Sequence, residues 1–132
     1  MRHDLENAPA LLDDIAHIAR DVRDTLGAGY PARAYLDALR HAVSKRLPAR
    51  RVEKLTTTFD GHSIEFRSGS TLLVAGVVAV HAIVADKTHP HHRAALRRRL
   101  EALDVTAGVL LNFADSEVAD GNSFIVREVD TD

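Results

Sequence analysis

The segment Ser70-Thr-Leu-Leu-Val-Ala-Gly-Val-Val-Ala-Val-His-Ala-Ile-Val84 contains two apolar runs rich in β-branched residues, which meet at Gly76. The second run, residues 77–85, is almost continuously apolar. Such a run is typical of a strand that is buried on both faces, because a half-exposed strand would alternate apolar with polar residues. We therefore expect residues 77–85 to form the central strand of a sheet.

Further strands are predicted on both sides of this segment. Residues 52–59 and 62–67 are separated by Asp60-Gly61, a pair typical of tight hairpin turns, which predicts a hairpin. After the loop 115–122, an alternating run at 123–129 predicts an edge strand. In chain order the predicted strands are 52–59, 62–67, 70–75, 77–85, 108–113 and 123–129.

Three helices are predicted from apolar residues that recur at steps of three and four. The first, within residues 11–26, ends at Gly27, and the second begins at Pro31 and stops before Pro48. The third begins at Pro90, with Thr88 or His89 as its cap. The resulting order, ααββββαββ, predicts an α/β (α+β) fold in which helices flank a central mixed sheet.

Composition limits the classes of function. A length of 132 residues fits one domain. The 17 Lys and Arg against 19 Asp and Glu give a net charge of -2, whereas a domain that only coats nucleic acid is usually basic. With no cysteine there are no disulfides, no thiolate catalysis and no cysteine-ligated zinc. Because neither a signal-peptide core nor a membrane span is evident, we expect a cytoplasmic protein.

Three segments, in this order and at this spacing, carry a resemblance to a known family. They are Leu26-Gly-Ala-Gly-Tyr-Pro-Ala-Arg-Ala-Tyr35, the strand pair 70–84, and Ala107-Gly-Val-Leu-Leu-Asn-Phe113. Together they resemble the GxxExxY family of PD-(D/E)XK nuclease-like proteins. The resemblance implies a restriction-endonuclease-like fold that occupies residues 1–132 as a single domain.

Nucleases of this superfamily hold a divalent metal ion between an acidic residue on one strand and a Glu-x-Lys on the next. In an ungapped comparison, the first acid falls at Thr71, and the glutamate and lysine fall at His81 and Ile83. The family's helical glutamate falls at Ala32, and the glutamine of the later helix falls at Ala95. The resemblance therefore implies a degenerate domain with no catalytic residue and no metal or other cofactor.

Two other groups of residues can each be interpreted either as a chemical site or as a purely structural feature. His89, His91 and His92, with His81 and Asp86 nearby, carry ligand atoms for zinc or nickel, but adjacent histidines on a helix point about 100° apart. We therefore interpret them as a solvated helix start. Asp86-Lys87, with Glu65 as a distant second acid, would suit a displaced catalytic pair, although a surface turn explains it as well.

Basic residues collect in two places and can contact phosphates without reading bases, since no aromatic residues lie among them. The nucleic-acid contacts considered are Arg50, Arg51, Arg93, Arg97, Arg98 and Arg99. The favoured hypothesis is a non-enzymatic protein that acts by self-assembly as a homo-oligomer or by binding a protein partner. The alternative is a nucleic-acid-binding protein or a residual metal-dependent nuclease.

Overall fold

The computed structural model describes the backbone of residues 2–114 and 124–126 and the side chains of residues 9–114. A pair of helices precedes three strands, and a third helix then separates these from two further strands. The elements are α1 (Arg2–Leu26), α2 (Ala32–Val43), β1 (Ala49–Phe59), β2 (His62–Val74), β3 (Val78–Ile83), α3 (Pro90–Leu103), β4 (Ala107–Asn112) and β5 (Phe124–Val126).

The five strands form one mixed sheet in the order β1-β2-β3-β4-β5. β3 and β4 are parallel, and every other neighbouring pair is antiparallel. β3 is the middle strand, and all its residues except the half-buried Ile83 are buried. The predicted mixed sheet flanked by helices, with its centre at this segment, is therefore confirmed.

Each face of the sheet packs on helices. Val78 and Val80 of β3 belong to a core cluster that includes residues of α1 and α2. Ala79, which points the opposite way, packs with Leu96 and Leu100 of α3 in a second cluster. Alternate β3 residues thus bury opposite faces, as the continuous apolar run predicts.

The strand order differs from the prediction at one place. The segments predicted as separate strands, 62–67 and 70–75, form the single strand β2. Val52 pairs with Thr71 and Lys54 pairs with Arg67, so three β2 residues stand opposite one β1 residue. These three, Ser68-Gly69-Ser70, form a bulge in which Gly69 has a φ of +73°. A bulge interrupts the alternation of side chains without ending the strand. The sequence pattern therefore predicts two strands where the structure has one.

The helix ends follow the local signals in the sequence. α1 ends at Leu26 before Gly27, whose φ is +79°, and α3 begins at Pro90 with His89 as its N-cap. α2 ends at Val43, earlier than the predicted stop before Pro48. β5 confirms three residues of the predicted edge strand 123–129, and the loop 115–122 lies outside the described residues. None of the described helices combines the length and apolarity needed to cross a membrane.

A buried aromatic pair joins α2 to the end of β4. The rings of Tyr35 and Phe113 stack with centroids 4.7 Å apart and planes 6° apart. The Tyr35 hydroxyl donates a hydrogen bond of 2.5 Å to the carbonyl of Gly27, where α1 ends. Arg23 donates to the carbonyl of Phe113 at 2.8 Å. The α1–α2 connection is thereby fixed against the sheet, and two of the segments that carry the family resemblance lie in contact.

Gly108 of β4 allows α3 to pack closely on the sheet. A Cβ atom at this position would lie 2.6 Å from a methyl group of Leu100 and 3.0 Å from the carbonyl oxygen of Ala79. Neither contact is possible unless the neighbouring atoms move, and the Ala79 carbonyl belongs to the central strand β3. Gly108 therefore sets the height of α3 above β3 and β4, and with it the position of every α3 side chain that faces the sheet.

We expect Gly108→Ala to lower the free energy of unfolding by about 1–3 kcal/mol, because the added methyl group overpacks the α3 interface. Urea unfolding measures this cost. In a Leu100→Ala background the same substitution should cost less, since the closest side-chain contact is then removed. Equal costs in both backgrounds would contradict packing against Leu100 as the cause.

Candidate functional site

The carbonyl group of Ser68, in the β2 bulge, accepts two side-chain hydrogen bonds. The Thr71 hydroxyl donates to it at 2.7 Å, and Nε of Arg99 donates at 2.8 Å. The Ser68 hydroxyl in turn donates to the carbonyl of Val52 across the strand pair. The bulge is therefore held by its own strand, by β1 and by α3, and its conformation places Thr71 beside β3.

Thr71 and His81 are direct neighbours across β2 and β3, and both side chains are buried. Oγ1 of Thr71 lies 3.0 Å from Nδ1 of His81. Because the hydroxyl gives its only proton to Ser68, the proton in this second bond must come from the imidazole. His81 is thus assigned as the tautomer that carries its proton on Nδ1, with the lone pair on Nε2.

The pKa of His81 is lowered from 6.5 to about 4, and burial is the largest cause. The positive charge of Arg99 and the imidazole of His92 also lower it, and a hydrogen bond with the backbone of Ser70 acts in the opposite direction. The imidazole is therefore neutral at neutral pH. A neutral, hydrogen-bonded imidazole is compatible with an 8% exposed position, where an unpaired charge is costly.

Arg99 projects from α3 toward this pair and is half-buried. Besides Ser68, it donates to the carbonyl of Ala95 at 2.8 Å. Its guanidinium carbon lies 5.8 Å from the centroid of the Phe66 ring, at cation–π distance. Three partners therefore hold its positive charge close to the Thr71–His81 pair.

The five positions matched to the family's catalytic residues are divided between the two faces of the sheet. Thr71 and His81 face α3, and Ile83, two residues beyond His81, packs with the α3 core cluster. Ala95 lies on α3, where its carbonyl holds Arg99. Ala32 begins α2 and packs against the cluster on the opposite face. The structure thus brings Thr71 and His81 into contact and places Ala32 beyond the sheet from them.

A family model of the PD-(D/E)XK nuclease superfamily matches residues 9–124. This range includes most of α1, all of α2 and α3, and strands β1 to β4 with the bulge. The chain belongs to the PD-(D/E)XK nuclease superfamily. No curated protein and no solved structure matches it.

Catalysis in this superfamily relies on a divalent metal ion. The side chains of Thr71 on β2 and His81 on β3 are not a suitable ligand set for such an ion. Magnesium and manganese prefer several oxygen ligands, including carboxylates. Thr71 and His81 offer one hydroxyl, already engaged in two hydrogen bonds, and one imidazole, with a guanidinium nearby. Across the described part of the chain, no group of three or more His, Cys, Asp or Glu side chains is placed to hold a metal ion.

The histidines at the start of α3 lie against one another. The rings of His91 and His92 have centroids 4.2 Å apart, and that of His89 lies 5.4 Å from His91. Nδ1 of His92 accepts the backbone N–H of His89 at 2.9 Å. Burial and the neighbouring imidazoles lower the pKa of His92. One ring nitrogen thus caps the helix, as expected for a structural role at a helix start.

The displaced catalytic pair considered from the sequence, Asp86 with Lys87, lies on a different element from its second acid, Glu65. Asp86 and Lys87 are exposed in the connection that follows β3. Glu65 lies on β2 near the hairpin turn, where it pairs with Lys54 at 3.6 Å. Glu65 lies on the part of β2 that does not pair with β3, whereas Asp86 lies after the end of β3.

The six arginines considered as phosphate contacts do not form one surface. Arg51 pairs across the strands with Leu72 and bonds Asp37 of α2 at 3.5 Å, so it lies on the α1–α2 face. Arg50 lies on the α3 face, opposite Leu73. On α3, Arg98 pairs with Glu101 at 2.6 Å, Arg97 is exposed and Arg93 is half-buried. Arg99 points inward to the bulge.

Sequence reasoning missed the role of Ser68 and the inward direction of Arg99. A weak signal for each was present. The Ser68-Gly69-Ser70 run has the composition of a turn inside an otherwise continuous strand pattern. Arg99 follows Leu96 by three residues, so it borders the buried stripe of α3. Neither signal predicts that the two residues bind each other.

The pKa of His81 predicts acid sensitivity. The unfolded chain binds a proton at this residue near pH 6.5 and the folded chain only near pH 4, so unfolding takes up a proton between these values. The contribution of His81 is complete above pH 6.5 and decreases by about 3 kcal/mol as the pH falls through this window. The free energy of unfolding in urea, measured at a series of pH values, tests this.

The matched variant is His81→Gln, which keeps a polar side chain without a titrating group. Its free energy of unfolding should depend less steeply on pH between 4 and 6.5 than that of the wild type. Arg99 and His92 remain in both proteins, so they contribute equally to both profiles. Parallel profiles would show that His81 does not carry the effect.

Proposed function

We propose that this chain is a catalytically inactive domain of the PD-(D/E)XK superfamily, of the GxxExxY type, that works by associating with itself or with a protein partner. The observation that carries the proposal is the hydrogen-bonded Thr71–His81 pair between β2 and β3. The family resemblance puts acidic residues at these two positions. A hydroxyl and a neutral imidazole stand there instead.

The electrostatics of this pair favour loss of catalysis. Nucleases use a metal ion to activate water and to stabilise charge on the scissile phosphate, which requires anionic ligands. Thr71 and His81 provide no anionic ligand, and the positive charge of Arg99 beside them repels a divalent cation.

The surface of the sheet supports an association role. β1 is an edge strand, and the hairpin it forms with β2 exposes 72% of Phe59 and 43% of Ile64. Edge strands and exposed apolar side chains are features that proteins use to pair with other chains. The net charge of -2 opposes self-association only weakly.

Cleavage of duplex and single-stranded DNA with magnesium or manganese tests the loss of catalysis. We expect no metal-dependent cleavage by the wild type. Cleavage that disappears in Asp86→Ala would instead establish a residual nuclease with a displaced site. Light scattering of the wild type across concentration tests association, and we expect particles larger than one chain.

The positions themselves are tested by Thr71→Asp/His81→Glu, which introduces two carboxylates across β2 and β3. Without metal, repulsion and burial should lower the melting temperature. Manganese should raise the stability of this variant by about 3 kcal/mol at a hundredfold excess over its Kd, and leave the wild type unchanged.

The matched control is Thr57→Asp/Ile64→Glu, a pair with the same cross-strand relation on an exposed part of the β1–β2 hairpin. It should gain little stabilisation from manganese. An equal gain in both variants would mean that the region between β2 and β3 is not a vestigial metal site.

Nucleic-acid binding is the second candidate, and the basic side of α3 favours it. Arg97 is exposed there, and Arg93 and Arg98 lie on the same helix. If these residues contact phosphates, affinity for DNA falls as salt rises, and Arg97→Ala/Arg98→Ala should lower the slope of log K against log salt by about 2.

The matched control is Arg33→Ala/Arg46→Ala, which removes two exposed arginines on or beside α2, on the other face of the sheet. It should leave the slope unchanged. DNA affinity that does not respond to salt would contradict phosphate contact altogether.

A further inference from the structure

The β1–β2 hairpin extends beyond the rest of the sheet. β3 pairs with β2 only from Thr71 to Val74, whereas β1 and β2 stay paired as far as Phe59 and His62. Residues 56–65 are all exposed. We call residues 56–65 the arm.

One face of the arm continues the core that lies under α3. Leu55 and Phe66, paired where the arm begins, pack in the α3 core cluster. Side chains alternate along a strand, so the pairs Thr57–Ile64 and Phe59–His62 follow on this same face. The apolar face therefore runs from the buried core out to the hairpin turn, where no described element covers it.

An uncovered arm is energetically unfavourable. A two-stranded hairpin without a third strand or a helix to pack on is marginally stable in water. Full burial of an exposed Phe or Ile side chain contributes about 1.5–3 kcal/mol, and Phe59, at 72% exposure, has most of this still to gain. Cover for this face must come from a surface that the arm does not already contact.

A groove of about 500 Å³ lies between the arm and α3. Thr57 and Phe66 line it on the hairpin side, and Arg98 and Ala102 line it on the helix side. The arm forms one wall of this groove and therefore cannot also fill it. No described part of the chain fills this groove, which leaves room for a segment of another molecule.

Charge favours a second copy of this chain as that molecule. The arm carries Asp60 at its turn, next to Phe59, whereas its other acid, Glu65, lies on the opposite face and pairs with Lys54. The outer side of α3 carries Arg97 and Arg98, with Glu101 as the acid nearby. An apolar tip with a carboxylate beside it thus complements a groove that has an apolar floor and arginines on its helix side, and one chain supplies both.

We propose that two copies exchange arms, so that Phe59 of each enters the groove between the arm and α3 of the other. The contact is reciprocal, as in an isologous two-fold dimer. It covers the apolar face of both arms and brings Asp60 of one copy near the arginines of α3 on the other. This inference rests on the proposed self-association and assigns the surface that carries it.

Sedimentation velocity of the full chain across concentration measures the effect of the arm. Phe59→Ser/Ile64→Thr removes the apolar face at exposed positions, so the fold should persist, which the thermal melt checks. The dimer should dissociate at least about tenfold more readily than that of the wild type, because a buried aromatic anchor is lost. The matched control, Leu26→Ser/Val84→Ser, removes two exposed apolar side chains elsewhere and should dimerise like the wild type.

Cross-linking locates the contact. The chain has no cysteine, so a single thiol is introduced by Ala102→Cys in one variant and, in another, by His62→Cys, which lies beside Phe59 on the same face and leaves Phe59 in place. Mixed and mildly oxidised, the two variants should form a disulfide-linked heterodimer, identified by its intact mass. Replacing Ala102→Cys by His41→Cys, which is exposed on α2, should abolish that product.

The outcomes separate this inference from the proposed function. A wild type that remains monomeric at every concentration overturns both self-association and the exchange of arms. If the wild type and the arm variant assemble equally well, and His62→Cys and Ala102→Cys form no mixed disulfide, only the exchange of arms is overturned. Loss of assembly in the arm variant together with the mixed disulfide supports both.

Discussion

The burial of β3 on both faces is the constraint on which the other elements depend. A strand of this kind has to be paired on both edges and packed against on both faces, since none of its apolar side chains can face water. β2 and β4 supply the pairing, and α1, α2 and α3 supply the cover. At the carboxyl end, Asn112 of β4 exchanges two hydrogen bonds with the backbone of Ala85, which fixes the parallel pair in register. Gly108 then permits the close approach of α3.

The polar side chains buried between the sheet and α3 form hydrogen bonds within one network. Ser68, Thr71, His81 and Arg99 form one network, and no buried side-chain nitrogen or oxygen atom in the described residues lacks a partner. A satisfied network of this kind stabilises a unique packing of α3 on the sheet. The network occupies the Thr71 hydroxyl and Nδ1 of His81. These side chains therefore have a structural role, because they hold the β2 bulge beside β3.

The hairpin shows the opposite situation. β2 pairs with both β1 and β3 from Thr71 to Val74, but from Glu65 outward it has only β1 beside it, and no described helix covers it. Residues 56–65 therefore lack the packing on both faces that stabilises β3. Exposed residues on this extension can change without disturbing the core, because they do not pack in it.

Local features of the sequence determined the central strand, the Pro90 start of α3, the Gly27 end of α1 and the Asp60-Gly61 turn, since each depends on residues close together in the chain. The sequence also indicated that the groups at Thr71 and His81 are not carboxylates. Only the tertiary structure decided that these two side chains bond each other, that Arg99 turns inward, and that the arginines divide between two faces. It also merged two predicted strands through the bulge at Ser68. These features depend on strand register and on the height of α3, which arise from packing between residues far apart in sequence.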